Sequence, residues 1–530
     1  MDLFEEGTKI LLDKCRTGIP TLFTGNVFVV FGSVISFLFS AVIGGNDIAN
    51  AIGTTVCSGA LSMKKAIFLA CVFELSGAFF LGRSVTGTIS SGISKSEYFT
   101  DPVQYQAGMF AALASGFIWL LAATLWSVPV STTHSIVGAV MGFAIVTHGV
   151  GAVYWDSVAT IAASWLLSPL LGAIIAYILF KLTAKLCFDC PNPIERTISL
   201  MPSFFAASVF VFSLFFTLKG LTNIIAITTT EAALISLVAA FGSYIVHHLF
   251  LRPRMNREIP TSILNKHRSL LSIDIQRPSM DDSNPNPNPN QDTSEDMVTI
   301  EMETKPAEND VTEQIDHASD LEENEGKVKV SEPETDDEEK KDNTEVDQPF
   351  DQKLQDQIIA KLRRKSADKL FAPLQILACA FIATAHGSVD IAKSVAPLAA
   401  ILHIWENGDF GEPTVPLWTL FVGGVGLTVG LVTLGYKVIQ TIGTGITKVT
   451  NLNGTVIQLS AAITVLLGSS FGLPISTSHI LVGAVVGQAI ARKTEVRWKT
   501  VRHILFCMVI TLPIALGTSS IIMLGLNANI

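Results

Sequence analysis

Charged residues are scarce in this chain: they make up 15% of its 530 residues, whereas hydrophobic residues make up 49%. The mean hydropathy of +0.46 excludes an ordinary soluble fold, which would need many helices that are apolar on every side. Apolar runs such as 26–43 and 504–526 are long enough to cross the hydrocarbon of a bilayer as helices. The sequence therefore predicts an all-α, polytopic membrane protein of about 10–12 transmembrane helices, embedded in the lipid bilayer.

Cysteine is also sparse, with seven residues in the whole chain. Most of them lie in apolar stretches, where cysteine behaves as a small hydrophobic residue. The pair in "CFDC" at 187–190 has the spacing of a redox or metal site, but it lacks a second pair or nearby histidines. We interpret this pair as structural, and we expect no cofactor.

Aromatic residues are almost missing from the segment 281–350, which is instead strongly acidic. It holds 24 aspartates and glutamates against five lysines, a net charge of −19, so the other residues sum to +9 and the whole chain to −10. Such a composition buries too little apolar surface to offset the entropy of ordering the chain. We predict a disordered, solvated spacer between two membrane halves, with binding of a partner through its acidity as the alternative.

Basic residues lie close to the ends of several predicted spans, in 181–196, 252–257, 361–369 and 491–502. Lys and Arg in such positions mark the cytoplasmic side, which places the acidic segment in the cytosol. The first residues lack a small-residue cleavage site, so we expect no removable signal peptide. We expect the N-terminal segment to be extracellular. The predicted organisation is an N-terminal segment (1–21), a first membrane half (22–255), a cytoplasmic linker (256–369) and a second membrane half (370–530).

The two membrane halves contain copies of the same motifs. "VPVSTTHSIVGAVMGFAI" at 128–145 returns as "LPISTSHILVGAVVGQAI" at 473–490, and "NDIANAIG" at 46–53 returns as "VDIAKSVA" at 389–396. The offsets of 345 and 343 are nearly equal, so whole units are duplicated. Paired units with Gly- and Pro-interrupted apolar segments are typical of secondary transporters, whose binding site lies between the repeats near the membrane midplane.

Both copies of the first motif place hydroxyl groups where a new helix begins after a proline. The first N–H groups of a helix have no intrahelical partner, and the helix dipole adds partial positive charge there. Hydroxyls beside those N–H groups form a socket for a tetrahedral oxyanion. Plain N-capping of two membrane helices is the alternative, but two matched copies favour the anion site. The predicted anion-binding residues are Ser131, Thr132 and Thr133 in the first half and Ser476, Thr477 and Ser478 in the second.

The segment "GGNDIANAIG" puts Asn46, Asp47 and Asn50 at membrane depth, with the two asparagines one helical turn apart. Carboxylate and amide oxygens are hard ligands that suit Na⁺. An ionisable residue inside a span indicates a function, because its burial is costly. We predict a cation site here, with a structural cap formed by Asp47 as the alternative. Glu74 is a second carboxylate inside a span.

These motifs resemble the PiT family of inorganic phosphate transporters, the sodium-phosphate symporters of solute carrier family 20. "GGNDIANAIGTTVCSG" is similar to the family signature "GANDVANAFGTSVGSG", "FELSG" to its Phe-Glu segment, and the two hydroxyl motifs to its repeated P-[IV]-S-[GT]-[TS]-H motif. The resemblance covers both membrane halves, 22–255 and 370–528, and the long cytoplasmic loop. It implies a multi-pass carrier of the plasma membrane, with inverted repeats and re-entrant or broken helices, and not an enzyme.

The resemblance also implies roles for particular residues. The hydroxyl motifs hold phosphate, while Na⁺, the coupling ion, is bound by Asn46, Asp47 and Asn50 and by Asp390 in the second half. The expected partners are inorganic phosphate, Na⁺ and the lipid bilayer, without nucleic acid. A homodimer is left open.

The second half departs from the family pattern. Where the family reads "HGGNDVSNAIGP", this chain reads "HGSVDIAKSVAP", with Val389 and Lys393 in place of two asparagines. The family segment "IELASA" is "IQLSAA" here, so Gln458 stands where a glutamate is usual. Lys393 follows Asp390 by three residues, within ion-pair reach on a helix. Its ammonium would then stand where Na⁺ otherwise binds and lower the number of sodium ions, or couple transport to protons. Drift in a paralogue with an unchanged substrate is the alternative.

Three functions therefore stay open at the level of the sequence. The motifs favour sodium-coupled symport of inorganic phosphate. The altered second half leaves room for transport of another oxyanion such as sulfate, or for proton-coupled phosphate transport. The third function is that of a non-transporting receptor on a degenerate carrier fold, with the acidic linker as its working part.

Overall fold

The computed structural model describes the backbone of residues 2–223, 225–257, 350–435 and 449–528, and the side chains of 27–83, 85–222, 225–257, 359–435 and 449–528. These residues are almost entirely helical and contain no β-strand, only one isolated bridge between Ser94 and Val153. The helices are α1 (Asp2–Cys57), α2 (Met63–Leu81), α3 (Arg83–Ser90), α4 (Pro102–Leu125), α5 (Thr132–His148), α6 (Trp155–Cys187), α7 (Pro193–Lys219), α8 (Thr229–Val246, continued by a π-helical turn His247–Leu251), α9 (Phe350–Lys369), α10 (Ala372–Asn407), α11 (Leu417–Thr433), α12 (Asn451–Ser470), α13 (Thr477–Arg492) and α14 (Trp498–Asn527).

Eight helical stretches in the described part of the chain are long and apolar enough to cross a membrane. They belong to α1, α4, α6, α7, α8, α10, α12 and α14. Large apolar side chains on the outer helices remain exposed, such as Leu166 on α6 at 78% and Val238 on α8 at 72%. Such exposure is expected for surfaces that face lipid. The predicted polytopic, all-helical membrane fold is confirmed.

The two halves pack as intertwined repeats. The first half contributes α1, α2, α4, α5 and α6, which correspond in order to α10, α11, α12, α13 and α14 of the second. The most extensive packing joins helices of opposite halves: α5 lies on α14 and α13 on α6, while α1 lies on α11 and α10 on α2. Helices of each half therefore pack mainly against helices of the other half, and the polar motifs lie where the halves meet.

Two glycines related by the repeat allow close approaches of this kind between α5 and α14 and between α13 and α6. A Cβ atom at Gly138 of α5 would lie 2.5 Å from the carbonyl oxygen of Leu512 on α14. A Cβ atom at Gly483 of α13 would lie 2.1 Å from the carbonyl oxygen of Pro169 on α6. Small residues let membrane helices pack backbone to backbone. The same approach in both halves fixes the two short helices against their partners.

Two segments contain helix where the sequence predicted none. The backbone of the predicted N-terminal segment belongs to α1, which runs without interruption from Asp2 to Cys57. The last twenty residues of the predicted linker form α9. The predicted disorder of 281–350 concerns residues that, up to 349, lie outside the described part of the chain. The side of the membrane on which each loop lies stays a prediction.

Candidate functional site

The two hydroxyl motifs form the starts of α5 and α13. Both begin after an extended segment, and both are capped by their serine: the Oγ of Ser131 accepts from the backbone N–H of His134 at 3.3 Å, and that of Ser476 from His479 at 3.4 Å. The φ and ψ angles of the two caps agree closely, at −90° and 110° for Ser131 and −96° and 112° for Ser476. The N-capping that the sequence allowed is therefore present in both repeats, and it aims two helix N-termini at one place.

The two N-termini meet directly. The Oγ of Ser131 lies 3.1 Å from the Oγ of Ser476, and the hydroxyl of Thr133 donates to the carbonyl oxygen of Ile475 at 2.9 Å. All six hydroxyl residues are buried, with exposures of 0–4%. The structure therefore brings the two predicted half-sockets together, with their hydroxyl groups satisfied partly by each other. Positive helix ends and hydroxyl donors in one buried place favour an anion.

Asp47 of α1 joins the two hydroxyl motifs. Its Oδ2 accepts from the hydroxyl of Thr132 at 3.1 Å, and its Oδ1 accepts from the hydroxyl of Ser478 at 3.3 Å. The amide of Asn50, one turn along, donates to Asp47 Oδ1 at 3.2 Å and to the Oγ of Ser478 at 2.8 Å. The carboxylate thus contacts both starts of helices, so the predicted anion and cation residues form one continuous site.

Two side-chain oxygen atoms that follow Asp47 on α1 have no hydrogen-bond partner among the described residues. They are the Oδ1 of Asn50 and the Oγ1 of Thr54, which are buried and one turn apart on α1. A buried polar atom without a partner is costly and is usually explained by an ion or water. The amide of Asn50 contacts the carboxylate of Asp47, and carboxylate, amide and hydroxyl oxygens are ligands that suit a hard cation such as Na⁺.

The side chain of Asn46 contacts α4 and the segment that leads into α5, and its predicted role as a Na⁺ ligand stays a prediction. Its amide nitrogen donates to Thr124 Oγ1 at 3.1 Å and to the carbonyl oxygen of Val128 at 3.2 Å. Its Oδ1 accepts from the backbone N–H of Val130 at 3.4 Å. In this conformation Asn46 ties α1 to the extended segment before α5, so it positions the hydroxyl motif.

The second half presents a chain of charged groups on α10. Lys393 forms an ion pair with Asp390 Oδ1 and donates to Thr132 Oγ1 at 2.5 Å. The Nε2 of His386 lies 2.8 Å from Asp390 Oδ2, and its Nδ1 lies 3.2 Å from Glu74 Oε1. The charged groups of both halves are therefore connected through the hydroxyl of Thr132. His386 was missed at the level of the sequence, although its position one turn before Asp390 was a usable signal.

Glu74 reaches this chain because α2 approaches α10 closely. A Cβ atom at Gly387 would lie 2.2 Å from the carbonyl oxygen of Glu74, and one at Gly44, the counterpart of Gly387, would lie 2.1 Å from that of Leu427. Leu427 therefore stands in the second repeat where Glu74 stands in the first. The site is asymmetric, with three carboxylates and a buried lysine distributed unequally over the two halves.

Gln458 lies apart from this cluster of carboxylates. Its amide donates to the carbonyl oxygen of Ala51 at 3.0 Å and to the hydroxyl of Thr55 at 2.7 Å. It therefore connects α12 to the last turns of α1, which follow Asn50 in the chain. Its Oε1 is buried without a hydrogen-bond partner among the described residues.

The ligating atoms of Asp47, His386 and Asp390 lie within 4.8 Å of one another, and all three residues are buried. Two carboxylates this close repel each other unless positive charge is shared between them. Lys393 supplies one such charge. The arrangement can therefore hold a small cation between the halves.

A polytopic helical protein with buried polar motifs between two repeats has the architecture of a secondary transporter. The chain belongs to the phosphate transporter family, whose family model matches residues 43–519. This membership confirms the resemblance stated for the sequence, and it identifies the protein as a phosphate transporter and not an enzyme.

Several relatives are similar over most of the chain. The chloroplastic inorganic phosphate transporter 2-1 of Arabidopsis thaliana is 32% identical over 487 residues, which cover 91% of this chain and 69% of the relative. A provisionally named phosphate permease of Pyrococcus horikoshii is 28% identical over 490 residues, covering 92% and 95%. A solved structure described as the sodium-dependent phosphate transporter matches with a TM-score of 0.72 and 26% identity, over 95% of this chain and all of that one.

Proposed function

We propose that this protein is a sodium-coupled symporter of inorganic phosphate. Phosphate is held between Ser131, Thr132 and Thr133 of one repeat and Ser476, Thr477 and Ser478 of the other. The observation that carries the proposal is the meeting of two buried helix N-termini, joined by the Ser131–Ser476 hydrogen bond. Phosphate replaces this bond with hydrogen bonds from both helices to one anion. Because each repeat supplies half of the socket, motion of one repeat against the other opens it to either side.

The coupling to Na⁺ follows from the position of Asp47. Its carboxylate contacts the hydroxyls of Thr132 and Ser478, so a phosphate in the socket lies beside a second negative charge. At an effective dielectric constant of about 20, two unit charges 4 Å apart interact by about 4 kcal/mol. A cation held by Asp47 and the free oxygens of Asn50 and Thr54 turns this repulsion into attraction. Na⁺ therefore binds before phosphate or together with it.

The membrane voltage makes the number of cations important. One elementary charge that crosses about 100 mV is worth about 2.3 kcal/mol. A divalent phosphate needs two Na⁺ to be neutral and three to use the voltage. The likeness to a sodium-dependent phosphate transporter supports Na⁺ as the coupling ion. In the second half, Asp390 is the acidic counterpart of Asp47.

The plasma membrane is the proposed location, and the basic residues near the span ends support a cytosolic linker. One relative is chloroplastic by name, so imaging of a tagged protein tests this part of the proposal. The oligomeric state follows from light scattering of the purified protein.

Uptake of labelled phosphate by proteoliposomes tests the function. Replacing Na⁺ by choline at two pH values should abolish uptake at both, and excess sulfate should not compete. Uptake in choline that rises at acid pH would instead show proton coupling, and strong competition by sulfate would show a broader anion site. A protein that binds phosphate but moves none under any gradient would contradict the transport proposal and favour a receptor.

A further inference from the structure

Lys393 is a fully buried lysine in the middle of α10. Its side chain is 1% exposed and is one of the largest side chains buried in the described core. An ammonium without water must be paired and hydrogen-bonded. Lys393 meets this requirement with Asp390 and with Thr132 Oγ1, so it joins the charged chain of the second half to the start of α5.

The repeat shows which residue this lysine replaces. The offset of 343 aligns Lys393 with Asn50 and Asp390 with Asp47. The amide of Asn50 contacts the aspartate of its own repeat and a hydroxyl of the other repeat, that of Ser478. Lys393 makes a similar pair of contacts, with Asp390 of its own repeat and with a hydroxyl of the other repeat, that of Thr132, which is the counterpart of Thr477 and adjacent to the position equivalent to Ser478. The ammonium therefore lies at the second repeat's equivalent of the Asn50 position.

The oxygen atoms available to a cation differ between the two halves. In the first, Asn50 Oδ1 and Thr54 Oγ1 are buried and without a hydrogen-bond partner among the described residues. Their counterparts, Lys393 and Pro397, offer no side-chain oxygen. The remaining acidic group, Asp390, has one oxygen paired with Lys393 and the other 2.8 Å from His386. The second half thus carries a positive charge where the first half carries free oxygen ligands.

We propose that Lys393 is a tethered counter-ion that takes the place of a transported cation in the second repeat. A cation then binds in the first half only, at Asp47, Asn50 and Thr54. Because the lysine returns with the empty carrier, its charge is not delivered with phosphate. Each transport cycle therefore carries one Na⁺ fewer, and one positive charge fewer, than a carrier with both cation sites. This inference rests on the proposed function and adds the stoichiometry of the same site.

Exchange of two residues should restore the second cation site. Val389→Asn together with Lys393→Asn reproduces the amides of the first repeat at positions 46 and 50. In proteoliposomes, the double variant should show a Hill coefficient for Na⁺ that is higher by about one, and about one more elementary charge of inward current per phosphate. Val389→Asn alone is the matched control, and it should gain neither. A double variant with the sodium dependence and current of the parent protein would overturn the proposal.

A second measurement tests the proposal without transport activity, in case the double variant is inactive. Purified Lys393→Ala should melt at a lower temperature than the parent protein in choline chloride, because the buried carboxylate of Asp390 loses the counter-charge at its Oδ1 and keeps only His386 at its Oδ2. Methylammonium or Na⁺ should restore its melting temperature, since either cation fits beside Asp390. Lys181→Ala, at an exposed lysine near the end of α6, should show no such shift and no such rescue. A Lys393→Ala protein as stable as its parent in choline, or rescued by neither cation, would contradict the proposal.

The two proposals fail in different ways. The melting experiment contains no phosphate, so its outcome stays valid even if the carrier moves another anion. Wild-type uptake that is indifferent to Na⁺ would overturn sodium coupling and leave the rescue of Lys393→Ala unaffected.

Discussion

The side chains of Ser131 and Ser476 form a direct hydrogen bond, 3.1 Å between the two Oγ atoms, although 345 residues separate them in the chain. Both serines also cap their own helices. The bond therefore links the start of α5 to the start of α13 and marks the contact between the two repeats. A ligand that binds at this contact must engage both repeats at once.

Loss of either serine hydroxyl should weaken phosphate binding. A hydrogen bond to a charged group contributes about 1.5–3 kcal/mol, so Ser131→Ala and Ser476→Ala should each raise the KM for phosphate roughly 10- to 100-fold. Concentration-dependent uptake, corrected for protein at the membrane, measures this change. The control is Ser213→Ala on α7, whose hydroxyl donates to carbonyl oxygens of its own helix and to no other group in the described part of the chain. Near-normal KM values in both mutants would refute the socket.

Removal of the Thr54 hydroxyl should weaken the activation of transport by Na⁺ without lowering the stability of the protein. Thr54→Val removes a buried oxygen that has no hydrogen-bond partner in the described structure, so the free energy of unfolding without Na⁺ should stay level or increase. The same change should raise the Na⁺ concentration for half-maximal uptake, because a ligand atom is lost.

Thr55→Val provides the contrast to this variant. The hydroxyl of Thr55 accepts from Gln458 at 2.7 Å, so its loss should cost about 1–3 kcal/mol of stability. Thermal melts with and without Na⁺ compare the two variants. If Thr54→Val is destabilised like Thr55→Val and keeps its sodium activation, the Thr54 oxygen is no ligand.

A side chain at Gly483 should prevent close packing of α13 on α6. Gly483→Val places a Cβ 2.1 Å from the carbonyl oxygen of Pro169, and backbone atoms cannot yield as a flexible side chain does. We expect most of the folded protein to be lost in size-exclusion chromatography. Gly517→Val on α14 has no neighbouring atom among the described residues within 4 Å of the new Cβ, and valine has a better helix propensity than glycine, so the variant should be as stable as the parent protein to within about 1 kcal/mol. Equal yields of both variants would show that this approach is dispensable.

Deletion of residues 281–345 should leave transport largely intact. All proposed ligands of phosphate and Na⁺ lie in the two membrane halves, and the acidic composition of the deleted segment predicts a solvated spacer. Initial rates of phosphate uptake in cells, normalised to surface protein, measure the effect. A deletion variant that reaches the membrane and transports nothing would give the linker a direct role.

Local features of the site could be predicted from the sequence because they depend on short spacing. The proline and serine of each motif define a helix start, and the duplication predicts the same start twice, as both N-caps show. The spacing of three residues likewise predicts that Lys393 reaches Asp390, and the ion pair is present. The roles of these residues in binding phosphate and Na⁺ remain predictions.

Contacts between distant helices could not be predicted in the same way. The approach of Glu74 to His386 depends on the close packing of α2 against α10 at Gly387, and no local pattern encodes which helix a glycine will face. The hydrogen bonds between Asn46 and the segment before α5 also join residues that are far apart in the chain. The helix α9 was missed because its many charged residues were assigned to the solvated linker, although Phe350, Leu354, Ile358 and Leu362 recur at helical spacing.

The packing of helices from opposite halves against each other has a consequence for the synthesis of the chain. α5 ends at residue 148, but its main partner, α14, begins only at residue 498. At about 5–20 residues per second, the ribosome takes on the order of tens of seconds to supply that partner. Throughout this interval the glycine-lined face of α5 must be shielded by lipid or by an insertion factor. A chain truncated just before residue 498 would carry every proposed ligand of phosphate and Na⁺ and still lack the helix against which α5 packs.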